Sequence, residues 1–309
     1  MGAGGQLTGE DPALERLLDE LPTLAGRWRA HAPLSGGLTN RNYRVDTDTG
    51  VVVVRVSDPS SSLLAIDRES EYVNSVRAAA VGVGAPVVDY LPGRGVLVVG
   101  FLPSHTFGDE DVAANLGRIG PAVRRLHEAE RFQGRFDIFA VQAHYRAIVA
   151  EHGFPTPEGY DDYRPVFERC RAALAVHPEP LVSCHNDLLP ANLLDDGERV
   201  RIIDYEYAGL NEPSFELGNL IQEARLTPDH LAELVAAYAG RPDPARAARA
   251  AVFGTVAAYT WTLWGSIQSG VSDLDVDFTP WAVAKYDAAR AGFADPRLPG
   301  LLDRVGEGR

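Results

Sequence analysis

The sequence is short of cysteine, of positive charge and of unbroken apolar runs. Its two cysteines, Cys170 and Cys184, are too few and too far apart for a disulfide framework or a CxxC zinc site. Free buried thiols in a reducing cytoplasm are expected. Lysine and arginine together number 29 against 43 acidic residues, a net charge of −14 with a pI near 5.0. That balance argues against nucleic acid or an anionic membrane surface as a partner, and it favours a small cation. Residues 250–272 carry no charge, but Gly254, Thr255, Thr260, Thr262, Gly265, Ser266 and Gln268 break the apolar runs. A membrane span needs about 20 predominantly apolar residues, so a buried helix is expected here and no membrane contact. The first residues, MGAGGQLTGEDP, lack a basic segment followed by an apolar one, so no signal peptide is read. There is no internal repeat and no low-complexity linker, and 309 residues suit one or two domains.

What the sequence does have is concentrated between Leu181 and Gly209, LVSCHNDLLPANLLDDGERVRIIDYEYAG. Short apolar runs there end in polar residues that a buried strand would not carry without cause. His185-Asn186-Asp187 follows the first run, Asn192 comes five residues after Asp187, and Asp204 closes the last. Asp195-Asp196-Gly197 signals a hairpin turn, which would draw Asp187, Asn192 and Asp204 together. Magnesium takes oxygen ligands and keeps waters, which suits Asn192 and Asp204. A carboxylate left off the metal, Asp187, can orient a hydroxyl and accept its proton. Together these are the parts of a protein-kinase-like phosphoryl-transfer site.

Upstream, Asp11-Pro12 starts a helix toward Leu21. Residues 31–57 read as three strands joined by turns at Ser35-Gly36-Gly37-Leu38-Thr39-Asn40 and at Asp46 to Gly50. Gly36, Gly37 and Asn40 could let a backbone approach a phosphate. Arg55, inside a valine run, takes the place where a kinase has its phosphate-binding lysine. A helix over Ile66–Ala80 offers Glu71 as its ion-pair partner, and strands follow at Val87–Tyr90 and Val96–Phe101. The expected small lobe, residues 1–102, is an antiparallel sheet with one helix, and Val99 and Phe101 lie in a hinge that would meet adenine. Residues 103–309 turn helical. Val112, Leu116, Ile119, Val123 and Leu126 define one helix with a bend expected at Gly120-Pro121. Further helices are read over 137–152, 160–177 and 229–238. Toward the C-terminus, Trp261 and Trp264 stand three apart, on one helix face, near Phe278, Trp281 and Tyr286 and the acidic Asp273, Asp275 and Asp277. Such a stripe is either packed core or a box for an ammonium group, with each ring contributing ~0.5–2 kcal/mol.

HNDLLPANLL, IIDYEYAG, FELGNLIQE and WTLWGSIQSG resemble the choline/ethanolamine kinases within the aminoglycoside-phosphotransferase group, from Gly36 to about Ala289. The resemblance implies an α+β, bilobal protein-kinase-like fold and a kinase of choline or a related amino alcohol that uses ATP and Mg2+. It also implies Asp187 as base, Asn192 and Asp204 on the metal and Arg55 on the nucleotide phosphates. Tyr207, Glu223, Trp261, Trp264 and Trp281 would line the amine site. Glu216 stands where the family usually has Asp, and Trp281 where Tyr is frequent. A thiamine or aminoglycoside kinase and a non-catalytic pseudokinase are the alternatives.

Overall fold

The fold is taken from a computed structural model that describes residues 11–34, 40–57, 63–64, 66–272 and 276–308. Three strands, β1 (Trp28–Leu34), β2 (Asn40–Thr47) and β3 (Val51–Ser57), form a meander, and β4 (Val87–Leu91) and β5 (Val96–Gly100) complete the sheet. The order is β1-β2-β3-β5-β4 and every pairing is antiparallel. Valine alternation explains the sheet's two faces: Val45, Val52, Val54, Val96 and Val98 turn inward. The helix covering them is α1 (Pro12–Glu20), capped by the Asp11 carboxylate and packed through Leu14 and Leu18. It is the helix expected from Asp11-Pro12, and α2 (Arg68–Ala80) is the one expected over 66–80.

Helix α2 faces the other way. Its Asn74 side chain donates to the carbonyls of Gln133 (3.1 Å) and Ala208 (2.9 Å) and accepts from the Gln133 amide (2.8 Å). Ala78 joins the second core. Both bonding groups of a buried amide are thus spent on tying the lobes together, and Glu71 is held beside them.

Beyond β6 (His105–Thr106) the chain is mainly helical: α3 (Asp109–Ala114), α4 (Leu116–His127), α5 (Ile138–His152) and α6 (Arg164–Val176). Two small sheets follow: β7 (Val182–Cys184) with β10 (Gly209–Asn211), and β6-β8-β9, in which β8 (Leu193–Asp195) and β9 (Val200–Ile202) form a hairpin. The chain ends in α7 (Pro213–Glu223), α8 (Pro228–Ala239), α9 (Pro244–Val271), α10 (Thr279–Phe293) and α11 (Leu298–Glu307). Helix α9 is buried almost continuously from Ala248 to Gln268 and packs against α5, α7 and α10. Among the described residues no helix is long and apolar enough to cross a membrane.

The helix expected through Val112–Leu126 is broken, but at Asn115, whose backbone leaves the helical region (φ −121°, ψ 17°). Pro121 lies inside α4 without ending it. Gly120 serves packing: a Cβ there would stand 2.7 Å from the Ala237 Cβ and the Tyr238 amide nitrogen of α8.

Candidate active site

The hairpin does what its turn chemistry implies. Its register pairs Leu193 with Ile202, so Asn192 and Ile203 come opposite, and the Ile203 amide donates to the Asn192 carbonyl (3.0 Å). Asp204 is the next residue. On the other side, the Asn192 side-chain amide donates to the Asp187 carbonyl (2.9 Å). His185 closes the ring: its Nε2 donates to the Ile203 carbonyl (2.8 Å) and its Nδ1 accepts the Asp187 amide (3.2 Å). One donor and one acceptor define a neutral imidazole, and burial holds its pKa below the usual histidine value. Asp187, Asn192 and Asp204 are thereby joined through one bonded ring.

Two residues in this ring adopt left-handed backbones, Asn186 (φ 69°) and Asp204 (φ 72°). Asn and Asp tolerate that region better than most residues, and bonding must hold them there. The Asn186 side chain donates to the Tyr207 carbonyl (3.0 Å) and accepts from Asn211 (2.9 Å). Glu216, fully buried, accepts the amides of His185 (3.1 Å) and Asn186 (2.8 Å). Burial works to raise its carboxyl, but the bond from His127, the nearby imidazoles and the Asn186 amide outweigh it and hold the group below the usual range. The glutamate in place of the family's usual aspartate therefore reaches the loop it supports.

Next to the ring lies a dense ion network. Arg55 bonds Asp204 and stands 3.4 Å from Glu71. Arg68 bonds Glu71 (2.7 Å) and Glu206 (3.2 Å). Asn40, expected to face a nucleotide, donates its side-chain amide to Glu206 (2.9 Å). Burial pushes the Glu206 carboxyl up to about 7; Asp204 and Glu71 add to the rise and the two arginines oppose it. Sequence reasoning assigned no role to Arg68 or Glu206, although Glu206 sits in the DYEYAG stretch it singled out. Asp187 is also held well above the usual carboxylate range, by burial first and then by Glu223, Glu206 and Asp204, with Lys285 opposing.

The donor set suits a magnesium nucleotide. Asp204 Oδ2 and Asn192 Oδ1 have no protein partner among the described residues, and both are hard oxygens. Arg55 Nε is buried without a hydrogen-bond partner, an unused donor on a permanently charged group. Gly36 and Gly37 lie outside the described residues. Val99 is fixed between Val53 and Val87 in the sheet, and the Phe101 amide is used by the Val51 carbonyl (3.1 Å), so that amide is not open to a base.

The aromatic residues expected at the amine site meet in two contacting pairs. Tyr207 meets Trp261 edge-on at 5.6 Å, with Phe136 6.2 Å from Trp261. Trp264 meets Trp281 at 4.8 Å and Phe278 at 5.8 Å. The indoles are mostly packed: Trp261 is 4% and Trp264 7% exposed. Trp261 Nε1 donates to Asn219 (2.9 Å), whose own amide donates to the Leu188 carbonyl (3.3 Å) just after Asp187. Glu223 is not a bare counter-ion. Its carboxylate bonds Lys285, whose ammonium stands 5.1 Å from the Trp281 ring centroid. Lys285 escaped sequence reasoning, although it is the chain's only lysine and lies one helical turn after Trp281. Asp273 and Asp275 lie outside the described residues.

Comparison with known proteins places this arrangement. Residues 31–252 match the phosphotransferase enzyme family. A choline/ethanolamine kinase family protein from Mesorhizobium loti superposes with a TM-score of 0.84 at 32% identity, over 96% of this chain and 99% of that one. Protein LicA of Haemophilus influenzae is 26% identical over 272 residues, covering 82% of this chain and 77% of its own length. Ethanolamine kinase 2 of Homo sapiens is 34% identical over 147 residues, 40% of this chain and 38% of that protein. With its bilobal kinase-like fold and this polar ring, the chain belongs to the phosphotransferase enzyme family, in its choline/ethanolamine kinase branch, and is a small-molecule kinase with an alcohol acceptor.

Proposed function

We propose that the protein transfers the γ-phosphoryl group of ATP to the primary hydroxyl of choline, ethanolamine or a closely related amino alcohol. The observation that carries this reading is the ring linking Asp187, Asn192 and Asp204 beside two aromatic pairs. Asp187 accepts the hydroxyl proton, and its raised pKa makes it a stronger base than an ordinary carboxylate. Asn192 and Asp204 hold Mg2+, which when bound supplies charge neutralisation on the phosphates. Arg55, kept in place by Glu71 and Asp204, would meet the phosphates with its permanent charge. Val99 and Phe101 border the adenine. Tyr207, Trp261, Trp264 and Trp281 present ring faces and edges to the substrate's cationic head, with Glu223 at the margin. The names of the similar proteins, a choline/ethanolamine kinase family protein and ethanolamine kinase 2, support the same substrate class.

The test is an ATP-consumption screen over choline, methylated ethanolamines, ethanolamine, thiamine and aminoglycosides, with Asp187→Ala alongside. Turnover is expected with the amino alcohols. In Asp187→Ala it is expected to fall by ~10²–10⁴-fold while ATP binding persists. Unchanged turnover in that variant would remove Asp187 as the base.

A further inference from the structure

Lys285 is singular in sequence and in place. The chain uses arginine for every other permanent side-chain cation, and this one lysine is part-buried. Its side chain is 11% exposed and that of its partner Glu223 10%. Glu223 ends α7, Lys285 follows Trp281 by one turn on α10, and α9, which packs against both helices, brings Trp261 and Trp264. The ammonium thus fills both a carboxylate and an approach to the Trp281 ring, two features that a substrate cation would otherwise use. A part-buried carboxylate with its partner gone is left under-compensated, and it then recruits whatever cation can reach it.

We infer that Lys285 is a specificity-determining residue: a resident cation that cancels Glu223 and so limits the pocket's preference for charged over neutral acceptor alcohols. Charge selection is then left to the aromatic pairs and to Asp187, which has no cationic partner in salt-bridge contact among the described residues. The inference rests on the amino-alcohol reading and names how that site sets its selectivity.

The test compares choline with its neutral carbon isostere, 3,3-dimethylbutan-1-ol. Size is held constant and only charge changes. Affinity for each is read from tryptophan fluorescence, and kcat/KM wherever turnover is seen. Lys285→Met bares Glu223 and is expected to raise the choline-to-isostere ratio by about tenfold. Glu223→Gln leaves an unpaired ammonium and is expected to lower it by a similar factor. The double variant Glu223→Gln/Lys285→Met is expected to return close to the wild-type ratio, and Lys285→Arg to stay near it. The single variants carry opposite predictions, so loss of folding in one leaves the other decisive. Ratios that stay within about twofold of wild type, or that move the same way in both single variants, would overturn the inference. Absence of turnover with every amino alcohol would instead count against the proposed function, because the binding ratios do not depend on chemistry.

Discussion

The two flanks of Asp187 are built by opposite means. On one flank Arg55, Arg68, Glu71, Asp204, Glu206 and Asn40 are interlocked by ion pairs and hydrogen bonds, so that each carboxylate answers to an arginine or an amide. On the other, four aromatic side chains meet edge-on or tilted in two pairs, with the Glu223–Lys285 ion pair beside Trp281. The charged flank is cooperative: removing any member strands a partner in a buried site, where an unpaired charge is costly. The aromatic flank is closer to additive, since ring contacts are weak and individually replaceable. Under the proposed function, phosphate handling is thus tied to folding, while acceptor preference can change with less risk to the fold.

That contrast can be broken at several points. Arg55→Ala should show the largest effect. It leaves Glu71 and Asp204 without their shared cation, and a loss of about 3–5 kcal/mol is expected in denaturant unfolding, together with loss of turnover. Glu216→Ala should come next, because it strands the buried amides of His185 and Asn186. A loss of about 1–3 kcal/mol for each unpaired group is expected, with kcat falling alongside stability. On the aromatic flank, Trp261→Phe removes the bond to Asn219 and part of one ring. About 1 kcal/mol of stability should be lost, and KM for the amino alcohol should rise more than kcat falls. If Trp261→Phe proved as disruptive as Arg55→Ala, the two flanks would not differ as described.

The smallest effect concerns pH. Asp187 must be unprotonated to accept a proton, so kcat/KM should fall as pH drops through its raised pKa. Glu223 raises that pKa and Lys285 lowers it. The acid limb of the profile should therefore move to lower pH in Glu223→Gln and to higher pH in Lys285→Met, each by less than about one unit. Limbs that stay put would show that the pair does not reach the base.

Much of this was legible in the sequence where the signal is local. Valine alternation and Gly- or Asp-rich turns mark β1 to β5, and polar residues ending apolar runs mark Asp187, Asn192 and Asp204. What was not legible depends on distant partners. The break at Asn115 carries no breaker residue in the sequence, and the packing demand that α8 places on Gly120 is likewise invisible there. The pairing of Trp264 with Trp281 was not legible either, since spacing along α9 says nothing about which ring arrives from α10. The Glu223–Lys285 pair joins residues 62 apart, a separation to which periodicity is blind. Arg68 and Glu206 were missed for the same reason, being 138 residues apart.

The central claim is that Asp187, Asn192 and Asp204 serve phosphoryl transfer from ATP to a small cationic alcohol. Phosphorus NMR of the purified protein with MgATP and choline or ethanolamine tests it most directly. The account predicts growth of a phosphomonoester signal of the amino alcohol, matched one for one by ADP and abolished in Asp187→Ala. ATP left intact with every amino alcohol, or a phosphoester formed on an aminoglycoside instead, would contradict it.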